Sequence, residues 1–170
     1  MKKILFIFPI VIFLFGMTLI SCKEKGNQTE SSISSQSKST ILLDKKGNPV
    51  SLPKNKIIIV NFFAYSCSSC MKEMPILKKI IQEPEFKGKF QIIGMVLDSN
   101  KPDLSDPNFL IYPNNNKNFV RFRVPGTPTT YIITPEGKKL VVIIGAVTED
   151  SFREFLRKAL KKYEALKTQK

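Results

Sequence analysis

The sequence holds three cysteines, Cys22, Cys67 and Cys70, and no histidine. Without histidine there is no imidazole base and no imidazole metal ligand. The thiols are therefore the first candidates for chemistry. Cys67-Ser68-Ser69-Cys70 comes just after the apolar run from Lys56 to Ala64 and opens a helical pattern. A thiol at a helix N-terminus meets unpaired backbone N–H groups and the positive end of the macrodipole. Both favour the thiolate, which is the species that attacks disulfides. A free cysteine titrates near ~8.5, and such positions lower that by one to several units. Cys70 lies one turn deeper on the same face, within reach of Cys67 but less exposed. Position thus names Cys67 as nucleophile and Cys70 as resolver.

Other uses of the pair are weaker. A static staple that closes so short a loop gains little in the chain-entropy account. Two cysteines without histidine do not complete a usual zinc set, so no metal site is assigned and the exchange chemistry needs no cofactor. Two-coordinate Cu(I), helped by Met71 or Met74, stays open as a non-enzymatic carrier function, because soft ligands suit that ion. Glu73 falls three residues after Cys70. One helical turn brings its carboxylate to the Cys70 side, where it is placed to relay a proton. The competing reading is an ordinary exposed acid in the first turns of a helix.

The elements that must position these residues are legible from pattern. Residues 56 to 64 form a continuous β-branched and apolar run, expected as a strand buried on both faces. Met74, Leu77 and Ile81 recur at helical spacing over 68 to 81, with Pro75 expected to kink that helix. Phe90 to Leu97 reads as a second buried strand. Thr129 to Thr134 and Leu140 to Ile144 flank Pro135-Glu136-Gly137 as a hairpin. Ile41-Leu42-Leu43 and Val50-Ser51-Leu52 flank a Gly-containing turn as a shorter one. Thr148 reads as the N-cap of a last helix, whose apolar stripe runs through Phe152, Phe155, Leu156, Ala159, Leu160, Tyr163 and Leu166. The stretch from Ser99 to Asn118 reads as irregular. The predicted order is β-hairpin, β, α, β, irregular, β, β, α. That is an α/β domain over 41–170, with a central mixed β-sheet flanked by helices and an N-terminal β-hairpin.

The first 40 residues read differently. Lys2 and Lys3 precede Ile4 to Ile20, which carries no charge, and Ser21 stands before Cys22. This describes a secretory signal over 1–21. Leu19-Ile20-Ser21-Cys22 resembles the bacterial lipobox, in which the cysteine is lipidated and becomes the N-terminus. Residues 22–40 then form a lipidated cysteine and a Ser-rich tether too poor in apolar residues to fold. Its 18 residues from Lys23 to Thr40 span about 25 Å by random-coil scaling. The expected location is the bacterial cell envelope, outside the cytoplasm and lipid-anchored to a membrane. The formal charge is +13, of which the leader's two lysines account for 2, leaving +11. The basic residues are spread along the whole chain, which reads as a solvated surface rather than a nucleic-acid site.

Two segments identify a family. Val60-Asn61-Phe62-Phe63-Ala64-Tyr65-Ser66-Cys67-Ser68-Ser69-Cys70-Met71-Lys72-Glu73-Met74-Pro75 resembles the TlpA/ResA-like branch of the thioredoxin superfamily. So does Val124-Pro125-Gly126-Thr127-Pro128-Thr129-Thr130-Tyr131-Ile132-Ile133-Thr134-Pro135-Glu136-Gly137-Lys138. The likeness runs from about Ile41 to Lys162. It implies a thioredoxin-like fold and a thiol–disulfide oxidoreductase. It implies a cis bond at Pro128 beside the redox pair, Thr127 as the backbone that meets the substrate strand, and an active-site role for Glu73. It favours a reductant of protein disulfides, with apocytochrome c cysteines as one substrate class and a membrane thiol–disulfide protein as electron donor. An extracytoplasmic oxidase that forms disulfides is the alternative within the same chemistry. Asn61 stands where ordinary thioredoxins carry an aspartate, which puts the proton-handling role on Glu73. Ser66 replaces a usual tryptophan, and Ser68-Ser69 leaves the redox potential open.

Overall fold

The computed structural model describes residues 41–168. The expected leader, Cys22 and the tether lie outside the described residues. Eight elements follow in order: β1 (Ile57–Phe63), α1 (Ser68–Ile80), β2 (Phe90–Val96), β3 (Phe109–Pro113), α2 (Asn118–Arg121), β4 (Thr129–Ile133), β5 (Lys139–Ile144) and α3 (Glu149–Thr168). The strands form one sheet in the order β3-β2-β1-β4-β5. β1 pairs in parallel with β2, and β2 with β3. β4 runs antiparallel to β1, and β5 to β4. This is the mixed sheet expected of a thioredoxin-like fold.

All seven residues of β1 are buried, as its unbroken apolar run requires of a strand covered on both faces. Ile57, Ile59 and Phe63 face α1 and α3, in a core with Leu77, Ile80, Phe152 and Leu156. Ile58, Val60 and Phe62 face the other way, onto Leu42, Val50, Phe122 and Tyr131. The sheet is tight where Phe63 and Phe109 meet edge-to-face at 6.0 Å. A Cβ on Gly94 would fall 2.9 Å from the Phe63 ring and closer still to that of Phe109, so only glycine fits there.

The N-terminal hairpin is present as a chain reversal with sparse pairing. Leu43 and Pro49 form a single antiparallel bridge, and Val50 N–H donates to Leu42 O at 3.0 Å. The side chain of Asn118 accepts from Leu43 N–H at 2.9 Å and donates to Leu43 O at 2.8 Å, so α2 supplies the pairing a longer strand would have made. The segment expected to be irregular contains the strand β3. Its four apolar residues are hemmed by Pro107 and Pro113, and it sits at the sheet edge, where a terminal proline is tolerated. α1 continues through Pro75 to Ile80. Thr148 caps α3: Ser151 N–H donates to Thr148 Oγ1 at 3.2 Å, while Thr148 N–H donates to Ser151 Oγ at 3.0 Å.

Candidate active site

β1 ends at Phe63, and the chain turns through four residues into α1. Cys67 is the N-cap of that helix. Its Sγ accepts from the Cys70 N–H at 3.2 Å, one of the donors a helix start leaves unpaired. No acidic residue occupies the first turn of α1, so nothing there opposes a thiolate. Cys67 is half-buried and Cys70 is 3% exposed. The two are joined in a disulfide with Cα atoms 5.3 Å apart, which is the oxidised state of the pair.

The Thr127–Pro128 bond is cis, as the resemblance implies. Thr127 O lies 3.6 Å from Cys67 Sγ, so two segments 60 residues apart in sequence meet at the sulfur. Gly145 N–H donates to Pro128 O at 2.9 Å and fixes this loop to the end of β5. Met71 is half-buried and Met74 6% exposed, both packed with the disulfide in the core beneath α1.

Glu73 is not an exposed acid: it is 2% exposed. One carboxylate oxygen accepts from Asn61 Nδ2 at 3.0 Å and the other from Val147 N–H at 2.9 Å. Asn61 Nδ2 also donates to Thr130 Oγ1 at 2.8 Å, across the β1–β4 pair. Burial pushes the Glu73 carboxyl above its ordinary value, and the bonds from Val147 and Asn61 pull it part of the way back. The carboxyl lies one turn beyond Cys70 on the same buried face of α1, where burial disfavours its charged form.

Asp98 is a residue that the sequence reading passed over. It follows β2, and its two carboxylate oxygens accept from the N–H groups of Tyr65 and Ser66, both at 2.9 Å. The Ser66 amide holds its carboxyl below the ordinary carboxylate value. Asp98 therefore pins the turn that delivers Cys67 to the helix start. Tyr65 adds a second tie, donating from its hydroxyl to the backbone oxygen of Asp103. The available signal was an acid at the carboxyl end of the strand next to β1, the edge where sites of open α/β sheets gather.

A disulfide at the start of α1, backed by a cis-proline loop over a mixed five-stranded sheet, defines a thioredoxin-like redox protein. The family model described as "Thioredoxin-like domain" matches residues 45–160, and the chain belongs to that family. Among similar proteins is the thiol-disulfide oxidoreductase ResA of Bacillus thuringiensis (strain Al Hakam), 28% identical over 178 residues that cover 93% of this chain and 98% of that one. ResA of Bacillus subtilis (strain 168) is 25% identical over 157 residues, covering 86% of each chain. Among solved structures, a thioredoxin-family thiol:disulfide interchange protein from Chlorobium tepidum TLS superposes with a TM-score of 0.55. It is 23% identical, and the match covers 69% of this chain and 90% of that one. The chain is accordingly an enzyme of the thiol–disulfide oxidoreductase class.

Proposed function

We propose that this protein is an extracytoplasmic reductant of protein disulfides, held at a membrane by a lipid on Cys22. The observation that carries the chemistry is the placement of Cys67 Sγ: at the N-terminus of α1, bonded by the Cys70 N–H and beside Thr127 O. In the reduced enzyme the Cys67 thiolate attacks one sulfur of a partner disulfide. The other partner sulfur leaves as a thiolate, and a mixed disulfide joins Cys67 to the partner. Cys70 passes its proton to the Glu73 carboxylate and attacks Cys67 Sγ. The second partner thiolate is released, and two electrons have moved from the enzyme pair to the partner. The Cys67–Cys70 disulfide is then reduced again by a membrane thiol–disulfide donor.

Thr127 and Pro128 present backbone next to the sulfurs, where an extended substrate segment lies alongside the reacting bond. The relatives' name supports the exchange chemistry, and the family likeness favours cysteines of apocytochrome c among the substrates. The leader supports the location. Among the described residues no helix is long and apolar enough to cross a membrane, and the proposed anchor falls on Cys22. The direction of electron flow is tested in the source cell by acid quenching followed by alkylation of free thiols. A steady-state pair that is mostly dithiol agrees with a reductant. A pair that is mostly disulfide makes the protein an oxidant.

A further inference from the structure

The end of the domain farthest from the disulfide is strongly and unevenly charged. It is built where β1 and β2 begin and where β4 turns into β5: Ile57 pairs with Phe90, Ile58 with Ile133, and Ile57 N–H donates to Lys89 O at 3.0 Å. The last turns of α3 reach the same end, where Tyr163 and Lys167 line a 470 Å³ depression with Asn55, Gly88 and Lys89. Lys162 Nζ donates to Leu140 O at 2.8 Å, at the start of β5. Residues 54–56, 85–89, 134–139 and 160–168 meet at this pole and carry nine lysines against three glutamates. Glu85 is engaged by Arg157 and Glu164 by Lys167. Lys54, Lys56, Lys87, Lys89, Lys138 and Lys161 make no ion pair with a described residue. All but Lys56 are exposed. The loops around the disulfide show no such excess. Residues 44–48, 64–69, 97–103, 113–117, 123–128 and 145–150 carry five basic residues and five acidic ones.

A second observation is independent of charge. The described chain enters the domain at this same pole. A Cβ on Gly137, in the β4–β5 turn, would lie 3.1 Å from the Ile41 side chain. The hairpin then runs toward the disulfide end, where Asp44 bridges Asn114, and returns to Lys54 and Lys56. Whatever holds the upstream residues therefore draws on the domain from its basic end.

We propose that this lysine pole is a docking surface for an anionic phospholipid bilayer, and that it turns the Cys67–Cys70 site away from the membrane toward soluble partners. The inference rests on the anchored location proposed above and adds orientation to it. A tether of the length expected from sequence leaves a domain free to tumble at the surface. Several lysines on one end, facing the negative potential of the bilayer, select one orientation. Attraction of this kind acts over about a Debye length, ~8 Å at physiological salt, so it acts on the pole that is held close and not on the far one.

The test reconstitutes the lipidated full-length chain in vesicles and maps lysine accessibility with an amine-reactive ester read by mass spectrometry. Flotation with purely zwitterionic phosphatidylcholine vesicles reads the anchor alone; a protein that fails to float overturns the anchor and leaves the surface to be read from soluble protein added to anionic vesicles. With phosphatidylglycerol in the bilayer, labelling of Lys54, Lys87, Lys89 and Lys138 should fall several-fold relative to the zwitterionic case. Lys72 and Lys101, on the disulfide side, should not change, and 1 M salt should abolish the difference. K54E/K87E/K89E/K138E should lose the protection and keep its thiol-exchange rate on a soluble disulfide. Equal labelling in both bilayers, or protection of Lys72 and Lys101 instead, overturns the proposal. So does protection by soluble polyglutamate on zwitterionic vesicles with none from phosphatidylglycerol, which makes the pole a site for acidic polypeptide.

Discussion

The two faces of the sheet are covered by different means and for different ends. On the α1/α3 face the core is interrupted by polar groups: the disulfide, Asn61, Glu73 and Thr130. Every one of those side chains is bonded, and among the described residues no buried side-chain polar atom lacks a partner. The opposite face has the ring cluster of Phe62, Phe122 and Tyr131, with centroids 5.5, 6.2 and 5.0 Å apart. It is closed by a sparse hairpin and one short helix. The lesson is a division of labour. One face accepts the cost of burying a titratable group one helical turn from Cys70; the other packs chiefly apolar side chains, with its buried Asn118 and Thr129 bonded to backbone oxygens.

The largest effect expected from breaking this division falls on the apolar face. Phe122 is fully buried against Phe62 and Tyr131. Phe122→Ala should cost about 3–5 kcal/mol of stability, by loss of transfer free energy and creation of a cavity. Denaturant titration measures that loss. In the folded fraction the alkylation rate of the reduced pair should equal that of the wild type. A large change in thiol reactivity would mean that the faces are not separate.

A smaller effect is expected from Glu73→Gln, on the other face, and its size depends on pH. Both carboxylate oxygens accept hydrogen bonds, and glutamine offers one acceptor in their place, so about 1–3 kcal/mol is lost at the buried site. Burial raises the Glu73 pKa, with the Val147 and Asn61 bonds opposing. A carboxyl raised in the folded state adds stability below its unfolded pKa, and that contribution is lost as pH rises through the folded pKa. The wild type should therefore lose stability relative to Glu73→Gln as pH climbs above the ordinary carboxylate range. The pH profile of thiol alkylation should also lose an inflection in the variant. Parallel stability curves and an unchanged alkylation profile would reduce Glu73 to a structural hydrogen-bond acceptor.

How far sequence carried differs between these regions for physical reasons. β1, α1, β2, the β4–β5 hairpin and α3 each have enough residues to show a period, and each lies where the pattern places it. β3 and α2 were hidden because five and four residues are too few for a period to show, and the strand itself ends in a proline. The cysteine pair was legible because its chemistry depends on local position, strand then helix. The burial of Glu73 was not, since an acid one turn into a helix is usually solvated. Its hydrogen-bond partners there are Val147, 74 residues away, and Asn61 on the strand β1. Asp98 escaped for the same reason: its partners are 33 and 32 residues distant.

The central claim is that Cys67 attacks and Cys70 resolves. It rests on a half-buried N-cap sulfur above a buried one. The most direct measurement is mixed-disulfide trapping in the source cell's envelope. Removing the resolver should leave Cys67 joined to its partner, whereas removing the nucleophile leaves a thiol below the surface with little access. Non-reducing gels should show dithiothreitol-sensitive adducts for Cys70→Ala and almost none for Cys67→Ala, and mass spectrometry of those adducts names the substrates. More adduct from Cys67→Ala than from Cys70→Ala would contradict the assignment.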